Sequence, residues 1–237
     1  DVTITEPAAD ELVDGTSYTI RGQVTDNGGR GVATLEYSRD STNGSDGTWT
    51  SIPLSGLNWS VAGVDFSDGG VQGAKTLWVR ANDGLNPNQA VSVSFNYDTD
   101  VPTLSETTIG TSAQQITGGA FTFSGSVDDT NALESLVITA TKDGTDQGQV
   151  LSTNDAGVYT FVRNLPGDGS DDGEWVYTLT ATDVAGRTTT LTRRLLIDES
   201  APAAPTIDPF AGSYQVNELV MSGSAADGGS GVQSVEY

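Results

Sequence analysis

The sequence predicts an all-β chain of tandem antiparallel Greek-key sandwiches. Three observations predict it. Apolar and polar residues alternate at period 2, turn-forming residues punctuate the alternating runs, and the pattern repeats after about 100 residues. Asp98 and Pro102 recur as Asp198 and Pro202, and Asp83 recurs as Asp183. Gly31, Val32, Glu36 and Tyr37 recur as Gly231, Val232, Glu236 and Tyr237. The repeats divide the chain at 1–102, 103–202 and 203–237. The third piece carries only the first three strands of a repeat.

Within a repeat the second strand is the clearest. Tyr18, Ile20, Gly22 and Val24 alternate with polar residues, as do Phe121, Phe123, Gly125 and Val127, and Leu219, Met221, Gly223 and Ala225. One face of such a strand is buried. The shared glycine is expected to let a large side chain of the facing sheet come close. Leu77, Val79 and Ala81 mark the sixth strand, and Tyr177, Leu179 and Ala181 mark its copy. In the first repeat, seven strands are expected near 2–5, 18–24, 32–38, 48–53, 57–65, 75–82 and 90–97. In the second they are expected near 104–109, 121–127, 135–141, 147–152, 157–163, 174–182 and 187–197. No stretch shows a helical stripe, and seven short strands per repeat read as a sandwich. Three strands cannot close a core and leave an exposed edge. Sequence continuing beyond Tyr237 is therefore expected, with completion by another chain as the alternative.

These residues carry a resemblance. "YTLTATDVAGRTTT" (177–190) with "LLIDESAP" (195–202) resembles the closing half of the immunoglobulin-like repeats of large bacterial surface proteins and adhesins. "GVATLEYSRD" (31–40) and "GVQSVEY" (231–237) are similar to the third strand of such repeats. The resemblance implies an extracellular module of the bacterial cell surface, arrayed in tandem with like neighbours, often a spacer and often calcium-bound. Repeat one departs from the pattern at "ANDGLNPNQA", which lacks the Ala-Gly turn.

Composition narrows the function. The 237 residues hold 32 Asp and Glu against 10 Lys and Arg, a net charge of −22, and neither His nor Cys. No disulfide, thiolate nucleophile, Cys/His zinc site or Ser-His-Asp arrangement can be built. Nucleic acid and anionic membranes require a basic footprint, so neither is an expected partner. No apolar run is long enough to span a membrane.

Strand directions alternate, so the loops after the second and sixth strands share one pole. The loop after the fifth strand lies at the other, near the outgoing linker. This predicts one gathering of acids around the linker Asp98 and Asp100. Asp128, Asp129 and Asn131 come from the loop after the second strand of repeat two, and Asp183 from the loop after its sixth. Asp65 and Asp68 come from the loop after the fifth strand of repeat one. The next junction offers Asp168, Asp171, Asp172, Asp198, Glu199 and Asp227, and the outer end of repeat one offers Asp26, Asn27 and Asp83. Oxygen ligands without nitrogen or sulfur suit Ca²⁺. Two carboxylates about 5 Å apart repel by about 0.8 kcal/mol in bulk water, and a divalent cation reverses that. Acids in turns also occur for solubility alone. "DGSDDG" (168–173) starts like an EF-hand loop, but the position that needs Glu is Leu179, so that motif fails.

Paired carboxylates can hydrolyse glycosides, yet these acids lie in loops without a pocket to separate their pKa values. The two lysines, Lys75 and Lys142, sit in no catalytic motif, and no enzyme is expected. The leading expectation is a structural extender of a surface adhesin or filament, its repeats joined at calcium-stiffened junctions. The alternatives are a module that binds glycan or a receptor, with outward-pointing Trp78 as its platform, and a subunit making lateral contacts in a filament or lattice.

Overall fold

The computed structural model describes residues 1–26, 31–85, 89–209 and 221–236. It forms two compact units. The first holds Asp1–Val101 together with Asp129–Ala132 and Asp183–Arg187; the second holds Pro102–Asp128, Leu133–Thr182 and Thr188–Tyr237.

The first unit contains a three-stranded sheet of β1 (Val2–Glu6), β3 (Tyr18–Val24) and β6 (Asn58–Val64), in the order β1-β3-β6. Its five-stranded sheet is ordered β2-β8-β7-β4-β5. The strands are β2 (Leu12–Val13), β4 (Thr34–Ser38), β5 (Thr50–Ser51), β7 (Gly73–Asn82) and β8 (Gln89–Tyr97). Inward residues of both sheets, among them Ile20, Trp59, Leu77, Val79, Phe95 and Tyr97, form one core.

The second unit repeats the design. Strands β9 (Thr103–Glu106), β11 (Ala120–Asp128) and β14 (Gly157–Asn164) form one sheet. The other holds β10 (Gln114–Ile116), β12 (Leu133–Lys142), β13 (Thr145–Thr153), β15 (Gly173–Asp183) and β16 (Thr188–Ile197). Its core includes Phe121, Phe123, Leu136, Trp175, Tyr177 and Leu179. Fourteen expected strands are therefore present, with ends shifted by a few residues. In the last segment β17 (Thr206–Ile207) pairs with β18 (Gly223–Ser224), and residues 231–236 form no strand. The expected strand residue Leu219, like Asn27 and the turn at 86–88, lies outside the described residues.

Two features differ from expectation. The sandwiches are not purely antiparallel: β2 pairs parallel with β8, and β10 parallel with β16. After pairing with the second strand, the leading segment of each repeat crosses to the other sheet and covers the edge of the last strand, which removes an exposed edge. These segments are two and three residues long, too short to show a period. The second difference concerns the shared glycine, whose large neighbour belongs to its own sheet. Gly22 pairs directly with Trp59, and Gly125 with Tyr159. A Cβ on Gly22, Gly125 or Gly223 would collide with the carbonyl oxygen of Thr3, Ser105 or Thr206 on the first strand. The glycine thus admits both a close backbone and a cross-strand aromatic. Tyr159 Oη then donates to the Ser105 carbonyl at 2.7 Å.

The second unit also buries an ion pair. Arg193 Nε donates to Glu106 Oε2 at 2.7 Å, with the two side chains 9% and 0% exposed. Burial alone would raise the Glu106 pKa. Hydrogen bonds from the Thr108 hydroxyl, the Ile109 N–H and Arg193 outweigh it and hold the carboxyl below its ordinary 4.5.

Two predictions follow from this packing. Gly125→Ala should cost about 3 kcal/mol in chemical denaturation, whereas Gly110→Ala, with nothing within 4 Å of its added Cβ, should be near neutral. Equal midpoints would contradict the steric account. Arg193→Met leaves Glu106 buried without its cation and should cost about 3–5 kcal/mol near neutral pH. Because the folded pKa of Glu106 is depressed, the stability it supplies is complete above 4.5 and is lost as the pH falls through the folded value. The gap between wild type and variant should accordingly narrow in acid unfolding curves.

Candidate metal centre

Strand periodicity carries two aspartates, Asp129 and Asp183, into the interior of the first unit's loop cluster, where Asp98 joins them from a strand end. In β15 the inward positions are Trp175, Tyr177, Leu179 and Ala181, and Asp183 is the next. In β11 they include Phe121, Phe123 and Val127, and Asp129 follows in the same parity, while Asp128 points outward and is exposed. Asp98 follows Tyr97 at the end of β8. Asp98 and Asp183 are completely buried and Asp129 is half-buried.

One carboxylate oxygen from each of Asp98, Asp129 and Asp183 lies within 4.8 Å of the other two, and all three residues belong to the first unit. Each uses Oδ1 to order its own loop. Asp98 accepts from the Asp100 N–H at 3.2 Å, Asp129 from the Asn131 N–H at 3.0 Å, and Asp183 from the Arg187 N–H at 2.8 Å. Asn131 Nδ2 donates to the Tyr97 carbonyl at 3.1 Å. Oδ2 of Asp98 and of Asp183 is buried with no hydrogen-bond partner. Burial, then the charges of Asp98 and Asp183, raises the pKa of Asp129 above its ordinary 3.8.

A buried carboxylate oxygen without a donor is expensive, and neighbouring negative charges add to the cost. A cation removes both penalties. Two oxygens on opposite sides of one Ca²⁺, each at 2.3–2.6 Å, stand about 5 Å apart, so the observed span fits a single ion. The donor set is all oxygen, which suits a hard cation over zinc or copper. These residues therefore fit calcium.

The other expected ligands have different surroundings. Asp100 is exposed and accepts from Gln72 Nε2 at 3.4 Å. Asp68 is balanced by Arg39 at 3.1 Å and Lys75 at 2.8 Å, and Asp65 Oδ1 accepts from the Ser67 N–H. Asp26 Oδ2 accepts from the Gly31 N–H and Asp83 Oδ1 from the Leu85 N–H. In the second unit, Asp168 Oδ1 accepts from the Ser170 N–H. Asp172 accepts from the Glu199 N–H and the Ser200 hydroxyl. Arg163 pairs with Asp171 at 2.7 Å. Asp198 is buried beside Gly229, and its Oδ2 accepts from the Ser230 N–H, whose residue holds the Asp198 pKa below its ordinary value. Asp198 Oδ1, Glu199 Oε2 and Asp227 Oδ1 are buried without hydrogen-bond partners. Among the described residues, one group of three carboxylates meets the 4.8 Å span.

The tryptophans divide between core and surface. Trp59 and Trp175 lie in the cores. Trp49 is half-buried, with the Arg80 guanidinium 3.9 Å above its ring. Trp78 faces outward but is half-buried under the loop at Gly44, where an added Cβ would meet its ring at 2.8 Å. It therefore presents no open platform.

No family model and no curated protein matches the chain. Solved structures do. Sidekick-1 immunoglobulin domains 1–5 align with TM-score 0.50 at 11% identity, over 88% of this chain and 40% of that one. A tetra-tandem repeat in the extending region of a large adhesion protein aligns with TM-score 0.41 at 18% identity, over 88% and 52%. The fibronectin(III)-like modules of Clostridium thermocellum CbhA align with TM-score 0.37 at 16% identity, over 83% and 94%. The chain thus spans about half or less of the first two. Together with the sheet order, the likeness shows the fold: immunoglobulin-like β-sandwiches in tandem.

Asp183→Asn removes one of the clustered charges. In EGTA it should raise the thermal midpoint relative to wild type, and in millimolar CaCl₂ it should lower it. The same ordering in both buffers would contradict the charge-cluster account.

Proposed function

We propose that the chain is a structural segment of a large extracellular adhesin or surface filament on a bacterium, with calcium fastening the linker that follows each repeat. The observation that carries the reading is the pair of fully buried carboxylate oxygens, on Asp98 and Asp183, that lack any hydrogen-bond donor beside Asp129. Calcium bound there ties together three stretches of chain far apart in sequence, one of them the linker at 98–102. Asp198, Glu199 and Asp227 each keep a buried oxygen without a hydrogen-bond partner, and they are proposed as a second site in the second unit. Asp26 and Asp83 occupy the corresponding register positions in the first repeat and are proposed to take part with residues preceding them.

The role is mechanical, not catalytic. The sequence has no His or Cys, and the clustered acids meet in loops, where a cation can cross-link them. Acidity of this degree also keeps a tandem array soluble and discourages lateral association. The rival glycan-binding reading is weakened by the loop that covers Trp78. The other rival reading, lateral contact with other chains in a filament or lattice, is weakened by the same negative charge.

Small-angle scattering with and without EGTA tests the proposal. The maximum dimension and flexibility of the chain should change when calcium is removed and recover when it is restored. Identical profiles would sink the stiffening role.

A further inference from the structure

The calcium reading leaves one residue unassigned that touches two of the three clustered aspartates. We infer that Arg187 is a positioning residue of this site, a brace that fixes Asp98 and Asp183 before the cation arrives; the inference rests on the calcium reading.

The side chain of Arg187 divides its fork between two carbonyl oxygens. Nη1 donates to the Asp98 carbonyl at 2.9 Å, and Nη2 donates to the Asp14 carbonyl at 2.8 Å. The backbone of the same residue closes the loop around the second aspartate. Arg187 N–H donates to Asp183 Oδ1 at 2.8 Å, and the Asp183 N–H donates to the Arg187 carbonyl at 3.0 Å. The linker aspartate and the loop aspartate are therefore both held by a single residue, one through its carbonyl and one through its carboxylate.

The chemistry explains why an arginine suits this place. The guanidinium is planar, always charged and fork-shaped, so it spans two fixed acceptors with little entropy lost per bond. Its two bonds go to carbonyl oxygens and not to Oδ2 of Asp98 or of Asp183, which stay without a protein donor. Its positive charge also softens the mutual repulsion of the carboxylates while the site is empty. A lysine keeps the charge but loses the fork. Preorganisation of this kind strengthens binding by removing the cost of ordering the ligands. At the corresponding offset from Asp83, the first repeat carries Pro87, which has no donor to offer, so the brace is specific to the loop of the second repeat.

Calorimetric titration of the full chain with CaCl₂ tests the brace. Arg187→Ala should weaken calcium binding at least tenfold and Arg187→Lys by an intermediate factor. Thermal midpoints in EGTA should stay close to wild type for Arg187→Lys, which separates positioning from folding. Arg187→Ala or Arg187→Lys binding within twofold of wild type would overturn the brace while leaving the calcium site intact. Absence of binding by wild type would instead overturn the calcium reading, and the brace with it.

Discussion

Two carboxylates buried in one small space impose the constraint on which the loop architecture depends. Asp98 and Asp183 have no solvent exposure, and each keeps an oxygen without a donor. A carboxylate in that position must be protonated, hydrogen-bonded or bound to a cation. Loop order around the aspartates deals with half of each group, since every Oδ1 accepts a backbone N–H. For Asp98 and Asp183 the other half has no protein donor. A cation bound there would link metal occupancy to the conformation of the linker and to the stability of the fold.

The cores do not need this site. Each unit has its own apolar core, closed by aromatics from the inward faces of both sheets. The glycine of the second strand admits an aromatic directly opposite in each full repeat, and the buried Arg193–Glu106 pair fixes the leading segment of the second. The proposed metal binding would therefore be a layer added to a fold that its strands already specify. The sequence economy follows from this: acids just beyond strand ends cost the core nothing and gather carboxylates where loops meet.

Much of the fold was legible because period 2 is a strong signal over seven or more residues, as in Tyr18–Val24 and Gly173–Asp183. The parallel pairings of Leu12–Val13 and Gln114–Ile116 were not legible, because such short segments have no period and take their place from the edge they cover. The site was legible in part. Counting acids by loop placed Asp98, Asp129 and Asp183 together, but it also gathered Asp65 and Asp68, whose carboxylates bond elsewhere, and Asp100, which meets Asp98 through its N–H while its exposed carboxylate accepts from Gln72. Strand parity would have picked out two of the three. Asp129 and Asp183 continue inward registers, whereas Asp128 continues an outward one. Arg187 carried no such signal, since its side chain donates to the carbonyls of Asp98 and Asp14, 89 and 173 residues away.

The most direct test is a crystal structure grown in CaCl₂ with anomalous data. The account predicts one ion bonded to carboxylate oxygens of Asp98, Asp129 and Asp183 at about 2.3–2.6 Å, with Asp65 and Asp68 outside its coordination sphere. Carboxyl groups paired through a shared proton, with no ion between them at saturating calcium, would contradict it.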